Sequence, residues 1–322
     1  MIRNYILSFA FVMLASFMNA QQDPQFTQWY MDPVVNNIGA AGQSNLSNIS
    51  TFYRQQWVGI NHSPVTYLLN FDSRFNDGPF GIGVQLYQDE IGNESNTMIK
   101  LGPSYTFNPN SSGTKFSLGL SASIFSKKIG HVYDWIPPDT PVNDDGAIPN
   151  GTQSDLAVDV DFGFFMRNSD RFYAGLSTTH LAQTVFQDLS IRPSRHYYLM
   201  GGYNFDLSGD QLVLRTNFLS KTDLAATAID FNVNVLINEM LWAGISYRPG
   251  DAVAPVLGYQ LRMEKQEQIT SSEQFLRIGY SYDVTTSELQ TYSQGSHEIF
   301  LSYAFLFKST PIQNKFANPR FL

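Results

Sequence analysis

The sequence predicts an all-β fold: a transmembrane, antiparallel up-and-down β-barrel of about fourteen strands with an irregular amino-terminal segment. Three observations predict it. Only 15% of the 322 residues are charged, against roughly 25% in soluble domains, while aromatics reach 14%, led by 25 Phe and 17 Tyr. Apolar and polar residues alternate with period two along most of the chain, which places one set on each face of a strand. Short and long connections also alternate, as in barrels with short periplasmic turns and longer external loops. A mean hydropathy of −0.18 fits such a barrel, whose polar lumen offsets its apolar outside.

Residues 1–20 read as a secretory signal. Arg3 supplies the positive charge, residues 5–17 a mostly apolar core shorter than a membrane-spanning helix, and Met18-Asn19-Ala20 a cleavage site. Residues 21–47 are rich in Gln, Asn, Gly and Pro and show no sustained alternation. Their aromatic cluster, Phe26, Trp29, Tyr30 and Met31, is expected to pack either in the lumen or against the periplasmic rim.

The barrel is expected over residues 48–307, with strands at 48–55, 66–74, 80–89, 96–107, 115–127, 154–168 and 170–181 in its first half. The second half supplies 196–205, 211–220, 227–237, 241–248, 253–261, 273–282 and 297–307. Most are close to the 9–11 residues that a tilted strand needs to cross a bilayer. The last strand is expected to pair with the first, and a periplasmic tail follows over 308–322. An even strand count puts both chain ends on the periplasmic side. The one long connection on that side, 262–272, has no explanation in the pattern.

Charge phase supports two-faced strands. Asp72, Lys100, Asp159, Asp161, Arg215, Asp230, Arg277 and Glu298 all fall between the apolar residues of their strands, and so are assigned to the lumen. A basic residue facing lipid near the midplane would cost about 2–4 kcal/mol. Aromatics near strand ends (Tyr53, Tyr87, Phe107, Trp242, Tyr247, Tyr282 and Phe307) suit interfacial girdles.

The composition excludes several functions. A net charge of −8 does not suit nucleic acid, and the absence of Cys removes thiolate metal sites, disulfides and a cysteine nucleophile. His62, His131, His180, His196 and His297 are scattered and lack the i, i+4 partner of a metal-binding helix. Asp159 and Asp161 are more simply hydrated or paired with Arg215 or Lys100 than ligands of a cation. Gly81-Ile82-Gly83 lacks the third glycine and helix of a dinucleotide site, so it reads as a strand with small lumen-facing residues. Asn143-Asp144-Asp145-Gly146 lacks the closing Glu of a calcium loop. No cofactor and no catalysis are expected.

The segment Asp23-Pro24-Gln25-Phe26-Thr27-Gln28 followed by Tyr30-Met31 resembles the PorP/SprF family of type IX secretion outer-membrane proteins from Bacteroidetes. Ala40-Ala41-Gly42 is similar to the family's step before the first strand. Tyr53-Arg54-Gln55-Gln56-Trp57-Val58-Gly59-Ile60 is similar to its Tyr-Arg-x-Gln-Trp-x-Gly signature. Residues 280–285 and 295–299 resemble its final hairpin, while Asn36-Asn37-Ile38-Gly39 departs from the more frequent Asn-Pro. The resemblance implies an outer-membrane barrel that serves secretion or surface attachment of proteins carrying a type IX C-terminal signal, with partners among those clients, secretion machinery subunits and membrane lipid. Expected contacts are Trp57 and His62 in the first external loop, Tyr133 and Trp135 in the third, and Tyr292 in the last, because aromatics are enriched at interfaces. The alternative is a diffusion pore or solute transporter, for which residues 21–48 and the inward Phe125, Tyr198 and Trp242 would be obstacles.

Overall fold

Fourteen strands close into one antiparallel barrel in which every strand pairs with its sequence neighbours, and the last returns to the first. The computed structural model describes residues 23–306, apart from 45, 76–77, 109–112, 131–151, 169–170, 210, 268–269 and the side chains of 264–273. The first seven strands are β1 (Ser47–Gln55), β2 (Val65–Arg74), β3 (Phe80–Ile91), β4 (Glu94–Phe107), β5 (Thr114–Ile129), β6 (Gln153–Asn168) and β7 (Phe172–Thr179). The others are β8 (His196–Asp206), β9 (Leu212–Thr222), β10 (Thr227–Ile237), β11 (Leu241–Arg248), β12 (Ala252–Glu267), β13 (Thr270–Thr285) and β14 (Ser296–Phe305). The seam joins β1 to β14 from Ser47↔Phe305 to Gln55↔His297. Closure leaves no unpaired sheet edge to template aggregation, and it satisfies backbone groups where lipid offers no hydrogen bonds.

Side-chain phase divides the wall. Ile99, Leu101, Leu156, Val158, Ile245, Leu257 and Ile278 point outward and are exposed, whereas Asp159, Asp161, Asp230 and Glu298 on the opposite phase are buried. Outward aromatics form a band across adjacent strands at the end with the short connections. Ring centroids are 5.3 Å apart for Phe80–Tyr105, 5.8 Å for Phe107–Phe116 and 6.2 Å for Phe116–Phe164. Two residues expected in the girdles are instead inside: Tyr87 and Trp242 fall on the inward phase of β3 and β11 and are buried. Phase, not nearness to a strand end, decides the face.

The unexplained connection at 262–272 is also corrected. β12 and β13 continue as a paired ladder to Glu267↔Thr270. Apolar alternation stops at the edge of the hydrocarbon layer, but the backbone ladder runs on beyond it. β7 is shorter than expected and ends at Thr179, while its neighbour β6 is 16 residues long. The upper part of β6 is therefore bonded by the following loop, with Leu181 N–H donating to Val160 O at 2.9 Å.

The lumen is filled by residues 23–43. Three single 3₁₀ turns, Trp29–Met31, Pro33–Val35 and Ile38–Ala40, compact this segment. Local chemistry sets them: Pro33 fixes φ at the first position, Asp32 accepts from Val34 N at 3.1 Å, and Asn37 accepts from Gly39 N at 2.9 Å. Phe26, Trp29, Tyr30, Val34, Ile38, Ala40 and Ala41 pack against Phe52, Leu68, Tyr87, Phe165, Tyr198, Met200, Leu219 and Phe300 of the wall. The hydrophobic core of the protein is thus the contact between segment and barrel.

Close approach demands glycine on the wall. A Cβ at Gly119 would lie 2.7 Å from the main chain of Ile38 and Gly39, and one at Gly163 would lie 2.7 Å from Gly39 N. Gly81 and Gly83, read as small lumen-facing positions, lie under Ala41 and Ile38 in the same way.

The segment runs the length of the lumen. Asp23 lies beside Thr179, His180 and Lys221, where β7 and β9 reach the end that carries the long loops. Gly42 lies beside Asp72 and Gly81, at the end with the short turns, from which β1 departs. The expectation that both chain ends lie on the short-turn side therefore fails for the start of this segment.

Substituting Arg for Leu257, which is 61% exposed in the middle of β12, is expected to cost about 2–4 kcal/mol. The fraction of protein that migrates as compact barrel without heating checks this; an unchanged fraction would refute the lipid-facing assignment.

Candidate functional site

The segment is held at two places near the long-loop end, and both use charge inside the barrel. At the first, consecutive N–H groups of Thr27 and Gln28 donate to the two oxygens of Glu298, at 2.6 and 2.8 Å. Glu298 on β14 is 0% exposed, so its carboxylate needs full pairing. Arg54 on β1 supplies it at 3.2 Å and reaches Asp283 on β13 at 2.7 Å. Arg248 on β11 closes the group: it pairs with Asp283, with Asp230 at 3.1 Å and with Asp251 at 2.9 Å. The Thr27 hydroxyl lies at the centre, donating to Asp283 Oδ1 at 2.9 Å and accepting from Arg54 at 2.9 Å and Arg248 at 2.8 Å. One threonine thus links four strands.

At the second place, Asp23 meets the ends of β7 to β9. Its Oδ1 lies 3.2 Å from His180 Nε2, and its Oδ2 accepts from Tyr198 OH at 2.7 Å and Thr179 Oγ1 at 3.2 Å. His196 Nδ1 is 3.6 Å from Oδ2, and Lys221 donates to the main-chain oxygen of Asp23. The other ring nitrogen of His180 is 3.1 Å from Asp159. Burial alone would pull His180 down, but Asp23 and Asp159 outweigh it and push its pKa up to about 10. Burial would raise Asp23, yet His180, His196 and Lys221 hold its carboxyl well below the usual range.

Between these anchors and β1, further polar contacts position the segment. Asp32 accepts from Asn70 Nδ2 at 2.9 Å and from the Ser50 hydroxyl. Asn37 Nδ2 donates to Phe164 O at 2.9 Å, and Gly42 N–H donates to Asp72 at 3.0 Å.

The residues expected in the lumen sort as follows. Phe26, Trp29 and Tyr30 are buried in the segment's core, with the Phe26 ring 5.0 Å from Phe52. Asp72, Asp230 and Glu298 join the contacts above. Lys100 pairs with Asp161 at 2.6 Å, whereas Asp159 takes His180 and neither Lys100 nor Arg215. Arg215 and Arg277 are half-buried on the inward phase, and Arg277 donates to Gln260 at 2.6 Å. In the loops, Trp57 is half-buried with φ 52° and its N–H bonded to Ser296, His62 is exposed, and Tyr292 is 73% exposed. Tyr133 and Trp135 lie outside the described residues.

Arg54, Arg248, Asp283, Asp23, His180 and His196 were not singled out as a group by the sequence reading. The two histidines are not scattered after all: Thr179 pairs with His196 across the β7–β8 hairpin, which brings them together. Inward phase at the strand ends was the signal available for Arg54, Arg248 and Asp283.

A closed barrel with an apolar outer belt, aromatic bands and a buried, charged lumen defines an outer-membrane β-barrel. The chain belongs to the PorP/SprF family, described as type IX secretion system membrane proteins, whose pattern matches residues 18–303. It is a type IX secretion component located in the outer membrane. Solved barrels are similar only in fold. The toluene transporter TbuX of Ralstonia pickettii is 10% identical at TM-score 0.49, covering 85% of this chain and 93% of that one. A FadL homologue of Pseudomonas aeruginosa is 10% identical at TM-score 0.43, over 82% and 90%. The KdgM porin is 12% identical at TM-score 0.36, over 81% and 99%. No curated protein matches the chain.

Arg54→Ala leaves the buried Asp283 and Glu298 short of a partner and is expected to destabilise by about 3–5 kcal/mol. Gly163→Val intrudes on the segment's backbone and is expected to cost about 1–3 kcal/mol. Denaturant unfolding followed by the fluorescence of the buried Trp29 and Trp242 measures both; wild-type midpoints would show that the segment contributes nothing to stability.

Proposed function

We propose that this barrel works at its surface: it binds or anchors an exported, adhesin-like protein bearing a type IX C-terminal signal, or a subunit of the secretion machinery, and performs no catalysis. The observation that carries this reading is the filled lumen. A pore needs a continuous aqueous path, and residues 23–43 occupy that path with an aromatic core and a buried ion-pair group. Two clefts between segment and wall each have an accessible volume of about 10 Å³, room for about one water molecule and far below a small-molecule pocket. A solute channel or transporter is therefore the weaker reading.

Contacts with the partner fall to the loops at the long-connection end, with Trp57, His62, Tyr133, Trp135 and Tyr292 as candidates. Tyr292 is the best placed, a large aromatic side chain held open to solvent after the short turn Glu288–Thr291. Family membership supports a client or machinery partner, and residues 1–20 fit a signal removed on the way to the outer membrane.

Deleting the gene is expected to abolish surface display of an adhesin encoded beside it; undiminished display would sink the proposal. Tyr292→Ala is expected to reduce partner co-purification about ten-fold, as for an interfacial hot spot. The purified protein in planar bilayers is expected to carry no steady porin-sized current. Such a current would favour the solute pore.

A further inference from the structure

We propose that Asp23, His180 and His196 bind one divalent transition-metal ion of the zinc class, which fastens the start of the lumen segment to the barrel wall.

One ligand atom from each of the three residues can be chosen so that all lie within 4.8 Å of one another. The separations from Asp23 to the two rings are 3.2 Å (Oδ1 to His180 Nε2) and 3.6 Å (Oδ2 to His196 Nδ1). Ligands about 2.0–2.1 Å from a tetrahedral zinc ion stand about 3.3–3.4 Å apart. The two separations from Asp23, each to a different oxygen, match that value, and the remaining ligand pair, within 4.8 Å, has to close by at most about 1.5 Å around a common ion.

His196 is the observation that points to a ligand. It is 2% exposed, yet neither ring nitrogen has a hydrogen-bond partner among the described residues. A buried imidazole left without a partner is costly, and a coordinated ion removes that cost.

The surroundings suit coordination. Asp159 accepts from His180 Nδ1 at 3.1 Å, which leaves Nε2 aimed at Asp23; a carboxylate behind a ligating histidine is the usual orienting partner in such sites. Tyr198 and Thr179 hold Asp23 Oδ2, which fixes the carboxylate plane and leaves Oδ1 facing His180. Lys221 opposes a cation, but its ammonium is engaged by the main-chain oxygen of Asp23. Two imidazoles and one carboxylate favour zinc and its first-row neighbours over calcium or magnesium, which take oxygen ligands. On binding, the ion takes the place of the proton between His180 Nε2 and Asp23, so that proton is released.

The test uses the full-length protein purified without a polyhistidine tag, stripped with a chelator, equilibrated with Zn²⁺ and dialysed. Elemental analysis is expected to find one zinc per chain. His196→Ala and Asp23→Asn are expected to lose it, while His62→Ala and His297→Ala keep it. Asp159→Asn is expected to weaken zinc binding about 10–100-fold. Heat-modifiable migration shows which variants fold, and His196→Gln replaces His196→Ala if the latter does not. Cobalt substitution gives a second readout, an intense visible absorption from a four-coordinate nitrogen–oxygen site in wild type only. A wild-type protein with no more zinc than folded His196→Ala or His196→Gln would overturn the proposal. So would folded variants that retain the ion.

Discussion

The structure depends on how Glu298 is paired. A carboxylate with no exposure to solvent, on the seam strand of a barrel, is tolerable only if its charge and lone pairs are met. Arg54 meets the charge from the adjoining strand, and the main chain of Thr27 and Gln28 meets the remaining lone pairs. The wall cannot satisfy Glu298 by itself, and the segment cannot fix its own backbone without Glu298. Each therefore specifies the other. The buried charges define where the segment sits, and the apolar cluster around Trp29, Tyr30 and Phe52 supplies area removed from water.

This mutual dependence explains the unusual interior. A barrel of this size without a filling would enclose water and leave its inward charges hydrated. Here Asp72, Asp230, Asp283, Glu298, Arg54 and Arg248 are buried, so the lumen behaves as a polar protein core. The region around β6 and β7 is the least regular part of the wall, since β7 stops at Thr179 and the loop behind it bonds the upper part of β6. That is also where Asp23 meets His180 and Asp159, so the segment supports the wall where strand pairing ends.

The wall was legible in the sequence because lipid on one side and a polar interior on the other enforce period two over whole strands, from Ile99–Lys100–Leu101 to Ile278 beside Arg277. Where that contrast ends, the pattern ends too, although the ladder continues, as in β12 and β13 beyond Leu261. Residues 23–43 could be recognised as irregular but not placed. Isolated 3₁₀ turns have no periodicity, and their decisive contacts, such as Thr27 with Glu298 across 271 positions, leave no local trace. Nothing local marks the glycines at 119 and 163, because the demand on them comes from a backbone far away in the chain. The Asp23–His180–His196 group was hidden for a similar reason: its members are joined by a hairpin register and by the path of the segment, not by spacing along one element.

The axial path of residues 23–43 also constrains the order of assembly. A segment that runs the whole length of a tube, then turns back as the tube's first strand, cannot easily be inserted once the tube is shut. Bulky Trp29 and Tyr30 would have to pass a bore that their own packing fills. Wrapping the hairpins around the segment avoids that passage, and it leaves the β1–β14 seam, which carries both Arg54 and Glu298, as the place to close. On that order residues 23–43, which precede every strand in the chain, are the mandrel on which the barrel is formed.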